Sequence, residues 1–225
     1  MRNRVLAVTL AIATLIAFSS PVAATHNDPH LGNSIDARPN PNSHNSTYTY
    51  YIEVCLSQSV FGGPVWDAYG AGFLAQDRIR DAMAAWNALN GEAHLFVSDN
   101  CATTDTYILV SNDTYSMFAV FQYSETKSCA TGTCWETAIL HFSTAVSWYM
   151  GTATTNFGGY DGWSMFTHEL GHGFNLGHAT AGSLATMEAS LGLGATFMRS
   201  LKGGPCGSTA TSDVFGYRNY FGCTH

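Results

Sequence analysis

The spacing of apolar and polar residues predicts one long amphipathic helix in the first half of the chain. Between residues 75 and 89 apolar positions recur at intervals of three and four, the period of an α-helix. These apolar positions are Ile79, Met83, Trp86 and Leu89. The charged positions between them are expected to face solvent, and they are Asp77, Arg78, Arg80 and Asp81. We therefore expect a helix with one face in the core.

Short strands are predicted on both sides of this helix. Residues 48–56 are rich in aromatic and β-branched side chains, and similar runs after the helix are separated by Gly, Ser, Asn and Thr. These later runs span residues 94–97, 106–110, 117–123 and 137–142. A second helix, which carries histidines, is predicted near residue 168. This order of strands and helices indicates an α+β domain.

The first 24 residues have the pattern of a secretory signal peptide. Arg2 and Arg4 form a basic end, residues 5–18 an apolar run and residues 22–24 a small-residue cleavage site. The apolar run is short for a membrane span, so we expect a secreted protein rather than an anchored one. Residues 25–47, rich in Asn, Pro and Ser, are expected to form a flexible leader. The domain then covers residues 48–225.

Composition and charge narrow the range of partners. Hydrophobic residues make up 46% of the chain and charged residues 11%, a balance that argues against disorder. The formal net charge is −7, and it becomes −9 once Arg2 and Arg4 are removed. An acidic chain repels nucleic acid, so nucleic acid is not an expected partner. We expect a monomer without a membrane partner.

Six cysteines lie after the expected cleavage site: Cys55, Cys101, Cys129, Cys134, Cys206 and Cys223. An even number of cysteines in an exported protein favours disulfides. Fifteen pairings are possible, and the candidates are a tight Cys129–Cys134 loop, a Cys206–Cys223 clip and the remaining Cys55–Cys101 pair. A cysteine zinc site is the alternative, but the CATGTC stretch lacks the two-residue gap that is usual in such sites.

The stretch HELGHGFNLGH, residues 168–178, contains three of the nine histidines in the chain. His168 and His172 are four residues apart, so on a helix they share one face and can bind the same ion. Glu169 lies beside the first histidine, in the position of a general base. His178 can join them only if the helix ends and the chain turns back, which Asn175 and the neighbouring glycines favour. Three imidazoles with an open fourth position are typical of a catalytic zinc site.

This motif resembles the HExxHxxGxxH signature of the metzincin zinc peptidases, with Asn175 in place of the usual glycine. Met187 lies nine residues after His178, where metzincins carry a methionine in a turn beneath the metal. Residues 139–148 resemble the matrixin strand and loop before the zinc helix, and residues 212–222 resemble the terminal matrixin helix. The resemblance implies a mixed, twisted sheet with a long helix, an active-site helix and a C-terminal helix.

Other features of the family are missing from the sequence. Ser143 stands where matrixins usually carry an acidic residue that helps to hold calcium. His141 and His94 suggest a second zinc by analogy, but the partner acid and the spacing are lacking. We therefore expect one catalytic zinc, without calcium or a second zinc. A PRCGxPD-like segment is also lacking, so latency through a cysteine thiolate is not expected.

The resemblance implies a secreted, zinc-dependent endopeptidase that acts on protein or peptide substrates. In such an enzyme zinc would lower the pKa of a water molecule to roughly 7, and Glu169 would take a proton from the water and pass it to the leaving amine. An extended substrate is expected beside an edge strand between residues 117 and 142, with residues 188–192 lining a side-chain pocket. Two alternatives stay open: a zinc-stabilised binding module without turnover, and a zinc hydrolase of non-protein amides such as cell-wall peptides. The presence of Glu169 favours an enzyme, because a structural metal site needs no base.

Overall fold

The computed structural model describes residues 50–56, 75–89, 93–98, 107–114, 118–129, 132–154, 158–174, 176–179 and 184–201. The strands within these ranges are β1 (Tyr50–Leu56), β2 (Ala93–Ser98), β3 (Tyr107–Asp113), β4 (Ala119–Cys129), β5 (Gly132–Ser143), β6 (Trp148–Tyr149) and β7 (Tyr160–Asp161). The helices are α1 (Ala75–Asn87), α2 (Gly162–Gly173) and a 3₁₀ helix (Phe197–Arg199). Of these described helices, none has the length and apolar character needed to span a bilayer.

Five of the strands form one mixed sheet in the order β2-β1-β3-β5-β4. β1 pairs in parallel with β2 and β3, and β3 pairs in parallel with β5. β4 runs antiparallel to β5 and forms one edge of the sheet. Parallel neighbours need a crossover connection, and α1 lies in the one between β1 and β2. The fold is therefore α+β, as predicted, with a mixed sheet and two α-helices among the described residues.

Alternate residues of the inner strands form the centre of the core. Side chains two positions apart on a strand point to the same face of the sheet. Those at alternate positions without solvent exposure are Ile52, Val54, Ile108, Val110, Ala138, Leu140 and Phe142. Glu53 and Cys55 are buried as well, so β1 is covered on both faces. All five predicted strands are present, and β3, β4 and β5 extend beyond their predicted ends.

The long helix lies where its apolar stripe predicted it. Ile79, Met83 and Trp86 are buried, and the indole Nε1 of Trp86 donates a hydrogen bond to the backbone carbonyl of Thr167 at 2.9 Å. Because Thr167 belongs to α2, this bond joins the two helices directly. It fixes the position of the histidine-bearing helix relative to the rest of the core.

The prediction of a solvent-exposed charged face is wrong at Arg78, which is only 5% exposed. Its guanidinium lies 5.2 Å from the ring centroid of Trp163 in α2 and forms an ion pair with Asp81 at 2.9 Å. A cation–π contact and an ion pair together offset part of the cost of desolvating the guanidinium. Arg78 thus belongs to the interface between the two helices.

Several predicted features lie outside the described residues. These are the signal peptide (1–24), the leader (25–47), the terminal helix (212–222), Cys101, Cys206 and Cys223. Cys129 and Cys134 lie on the adjacent antiparallel strands β4 and β5, where Cys129 pairs with Gly132 and Cys134 with Lys127. The two cysteines are therefore close along the hairpin, and the disulfide pairings stay predictions.

Candidate metal centre

The helix α2 begins at a side-chain cap and runs through the interior of the protein. The carboxylate of Asp161, the N-cap residue, accepts a hydrogen bond from the backbone N–H of Ser164 at 2.8 Å. This bond satisfies one of the N–H groups that a helix leaves without an internal partner at its start. Every residue from Ser164 to Gly173 is buried, which is typical of a helix enclosed on all sides.

His168 and His172 lie one helical turn apart on this helix. The Nδ1 of His168 donates to the carbonyl of Thr186 at 2.7 Å, and the Nδ1 of His172 donates to the carbonyl of Leu176 at 2.7 Å. Because a carbonyl oxygen only accepts, each ring in its neutral form carries its proton on Nδ1 and keeps a lone pair on Nε2. The two Nε2 atoms are 3.1 Å apart. Two lone pairs at that distance repel each other unless a proton or a metal cation lies between them.

The chain reverses direction immediately after α2. The backbone N–H of Phe174 bonds to the carbonyl of Gly171 at 3.1 Å, and the N–H of Leu176 bonds to the same carbonyl at 3.1 Å. These bonds satisfy carbonyl groups at the end of the helix and close a tight turn. Asn175, to which the sequence assigns the turn, lies outside the described residues. The reversal brings His178 back to the two helical histidines, as predicted.

The three imidazoles form a group that could hold a metal ion. Their ligand atoms all lie within 4.8 Å of one another. The ring centroid of His178 is 5.2 Å from that of His168 and 4.9 Å from that of His172. Desolvation lowers the pKa of His178, although part of its ring is exposed, and this favours the neutral form that binds metals. The group therefore has a closed side formed by the helix and an open side at His178.

Glu169 lies beside this group and is 1% exposed. Burial raises the pKa of Glu169 to about 8, and a hydrogen bond from the backbone N–H of Phe121 opposes the rise. Because Phe121 belongs to β4, the carboxyl group joins the histidine helix to the edge strand of the sheet. A cation held by the histidines would favour the ionised carboxylate, since a nearby positive charge lowers the pKa of a carboxyl group.

A cleft lies beside His168 and Glu169. The other residues that line it are Phe118, Met165, Glu188, Ala189, Leu191 and Met198. Most of these side chains are apolar, so the cleft suits an apolar group of a ligand. The segment predicted to line a pocket, residues 188–192, contributes three of them.

Met187 lies against α2 on the side of Gly171. A Cβ atom added to Gly171 would collide with Sδ of Met187 and come within 2.9 Å of Cζ2 of Trp86. The carbonyl of Met187 accepts a hydrogen bond from the backbone N–H of Ala179 at 2.6 Å. Glycine at position 171 therefore lets the methionine approach the helix backbone between the positions of the two buried histidines. The hydrogen bond between Ala179 and Met187 connects Met187 to the residue after His178.

A second set of polar residues lies behind the histidines, and sequence reasoning did not identify it. Arg199, which is 8% exposed, donates from Nε to the carboxylate of Asp161 at 2.8 Å. The hydroxyl of Thr186 donates to the carbonyl of Ser200 at 3.1 Å. The sequence did contain one indication of Arg199, because it is a single charged residue within an apolar run. A charged residue in such a run is buried only when it is paired, so an acidic partner could have been expected.

The two described histidines outside the zinc motif lie far apart in the sheet. His94 lies on β2 and His141 on β5, which are three strand spacings apart, or about 14 Å. His141 instead contacts Asp113, with Nδ1 2.8 Å from the carboxylate. Ser143 is 1% exposed, and its backbone N–H donates to the carbonyl of Phe118 at 2.7 Å. The geometry therefore does not allow His94 and His141 to share one ion.

No protein-family model matches this chain, and no curated protein matches it either.

Proposed function

We propose that the protein is a secreted, zinc-dependent endopeptidase that resembles the matrixins among the metzincins. The observation that carries the proposal is the group of three imidazoles, of which His168 lines the cleft together with the buried carboxyl group of Glu169. A structural metal site needs ligands alone. Here an acid–base group lies beside a ligand set that is open on one side, which is the arrangement that hydrolysis requires.

The donor set suits zinc. Zinc–nitrogen bonds of about 2.0–2.1 Å in near-tetrahedral geometry place two ligand atoms about 3 to 3.4 Å apart. The Nε2 atoms of His168 and His172 are separated by 3.1 Å. Backbone carbonyls orient both rings through Nδ1, as is usual for histidines that bind metals. When bound, zinc would lower the pKa of a water molecule to roughly 7 and polarise a carbonyl group.

Glu169 supplies the proton transfer in this proposal. Its carboxylate accepts the proton of the attacking water and later returns it to the leaving amine. A cation held by the histidines would keep this carboxyl group ionised, which is the form that accepts a proton. The hydrogen bond from the N–H of Phe121 holds the group in one orientation, so that little reorganisation is needed during the reaction.

The edge strand β4 offers a binding surface for an extended peptide. Phe121 pairs in register with Leu140 of β5, yet its N–H reaches Glu169 and so points away from β5. In an antiparallel ladder, alternate residues direct their backbone groups to the same side. Ala119 and Tyr123 therefore direct theirs toward the same side of β4 as Phe121. A peptide could add there as a further strand, with its scissile bond beside Glu169.

The apolar cleft would hold one side chain of the substrate next to the scissile bond. Phe118, Met165, Leu191 and Met198 supply most of its apolar wall. Each of these side chains is at most 5% exposed. Because the wall of the cleft is mostly apolar, we expect a preference for an apolar residue over charged residues at this position.

A digestion assay combined with metal analysis tests this proposal. The purified mature protein should contain about one zinc per chain and should cut casein or gelatin. Treatment with a zinc chelator should abolish cutting, and added zinc should restore it. Protein without zinc, or cutting that a chelator leaves unchanged, would contradict the proposal.

The same assay separates the two alternatives when cell-wall peptides are added as a second substrate. A non-protein amide hydrolase would release products from these peptides alone, and the chelator would stop the release. A binding module would hold zinc and cut neither substrate. Each outcome differs from that expected of an endopeptidase.

A further inference from the structure

Polar contacts connect the start of α2 to its first histidine by a route outside the helix. The route begins at Asp161, whose carboxylate caps α2 and is fully buried. It passes through Arg199 to the neighbouring Ser200, then from the Ser200 carbonyl to the hydroxyl of Thr186. It closes where the carbonyl of Thr186 accepts the hydrogen bond from Nδ1 of His168.

The ion pair at the beginning of this route is heavily hydrogen-bonded. The guanidinium of Arg199 contacts both carboxylate oxygens of Asp161, and Nε lies 2.8 Å from Oδ2. It also donates to the carbonyl of Thr152 at 2.8 Å and lies 5.2 Å from the ring centroid of Trp163. A buried pair holds a defined geometry when its remaining donors are satisfied in this way. The 3₁₀ helix is therefore fixed to the cap of α2.

The same segment forms part of the cleft. Met198 precedes Arg199 in the chain and lines the cleft beside His168 and Glu169. The hydroxyl of Thr186 holds the next residue, Ser200, at 3.1 Å. One short segment thus carries a wall of the substrate cleft and anchors the turn that orients a histidine ligand.

We propose that Arg199 and Thr186 are positioning residues. Together they fix the orientation of His168, the first metal ligand, and the position of Met198 in the wall of the cleft. The inference rests on the proposed function and adds residues that contact neither the metal nor the substrate. Groups that orient a metal-binding histidine in this way typically contribute 10- to 100-fold to metal affinity or activity. The effect of losing Thr186 should appear at the metal, and that of losing Arg199 at the cleft.

Three small substitutions test the Thr186 end of the route. Thr186→Val removes the hydroxyl at nearly constant shape, and it should weaken metal affinity or kcat about 10-fold. Thr186→Ser keeps a hydroxyl and should recover most of that loss. Ser200→Ala is the matched control, because Ser200 contributes only its backbone carbonyl and is exposed.

The cobalt(II) spectrum of each variant distinguishes positioning from stability alone. Thr186→Val should shift the visible absorption bands, because the orientation of His168 changes, whereas Ser200→Ala should match the wild type. A folded Thr186→Val protein with the wild-type spectrum, metal affinity and kcat would overturn the inference, whatever its unfolding temperature.

Arg199→Lys tests the other end of the route. Lysine keeps the charge beside Asp161 but cannot reproduce the fork of the guanidinium. KM for a peptide with an apolar residue at the cleft should rise several-fold, with a smaller change in kcat, because Met198 shifts. A wild-type KM in folded Arg199→Lys protein would show that Arg199 does not position Met198.

The inference and the proposed function can fail separately. Wild-type protein that binds cobalt and cuts no peptide would overturn the endopeptidase, while the spectra of the variants would still decide the role of Thr186. Wild-type protein that takes up no cobalt would overturn both.

Discussion

Replacing Gly171 with alanine should disturb the metal centre from within the helix. The new Cβ would collide with Sδ of Met187 and lie 2.9 Å from Cζ2 of Trp86. Neither neighbour can move freely, since Met187 is 2% exposed and the Trp86 indole is hydrogen-bonded to Thr167. The substitution therefore adds one methyl group where the packing has no space for it.

Two opposing effects determine how much Gly171→Ala changes the free energy of unfolding. Alanine is more favourable than glycine within a helix by about 1 kcal/mol. Overpacking a buried site costs about 1 to 3 kcal/mol. The collision involves both a sulfur atom and a rigid ring, so we expect the upper part of that range and a net loss of about 1 to 2 kcal/mol. For a domain of this size, the unfolding temperature should fall by about 2 to 8 °C.

Thermal unfolding with and without zinc measures this effect, and Gly173→Ala is its matched control. A Cβ at Gly173 would lie 3.1 Å from Cδ1 of Ile108 and 3.2 Å from Cζ of Phe121, which are milder contacts with side-chain ends. Gly173→Ala should therefore change the unfolding temperature less than Gly171→Ala. Gly171→Ala should also bind zinc more weakly, because displaced Met187 shifts the adjacent Thr186. The packing argument is refuted if Gly171→Ala is more stable than the wild type and binds zinc equally well.

Four further predictions concern the chemistry and the chain. Glu169→Gln should keep its zinc yet lose about 10²- to 10⁴-fold in turnover, as a peptide-cleavage assay will show; wild-type rates would exclude Glu169 from the mechanism. In the metal-free protein the pKa of Glu169 is raised from 4.5 to about 8, so stability should fall as pH rises through this interval. Glu169→Gln should flatten this pH dependence of the free energy of unfolding, measured in urea. An unchanged pH dependence would show that Glu169 is not its source. Mass spectrometry of the unreduced, mature protein should find no free thiol, and one free cysteine would contradict the predicted disulfides. The predicted turn requires positive φ at Asn175, where a β-branched residue is strongly disfavoured. Asn175→Gly should therefore keep zinc and activity, whereas Asn175→Val should bind zinc more weakly and turn over slowly; equal behaviour of the two would argue against that backbone conformation.

Local patterns predicted those parts of the molecule that depend on neighbours in the chain. The apolar stripe of α1 and the spacing of His168 and His172 are periodic, so the helix and the shared face could be read directly. The return of His178 followed from the turn-forming residues after the helix. β4 continues well beyond its predicted end at residue 123. The sequence did not predict this extension, because the polar residues that follow carry no apolar alternation.

Contacts between distant residues could not be predicted in the same way. Arg199 and Asp161 are 38 residues apart, and neither residue type indicates its partner. Arg78 was expected in solvent because charged residues on a helix usually are, and only the position of Trp163 explains its burial. The same holds for Phe121, whose backbone N–H reaches Glu169 from another element.

The short sequence span of the histidine group has a consequence for how metal binding is linked to unfolding. Since the three rings lie within eleven residues, an unfolded chain still presents them as a flexible chelating peptide. A ligand stabilises a fold only by the difference between its affinities for the native and unfolded states. Added zinc should therefore raise the unfolding temperature by less than its native affinity implies. The remaining increase reflects the ring orientation that the carbonyls of Thr186 and Leu176 impose, because that orientation is lost when the chain unfolds.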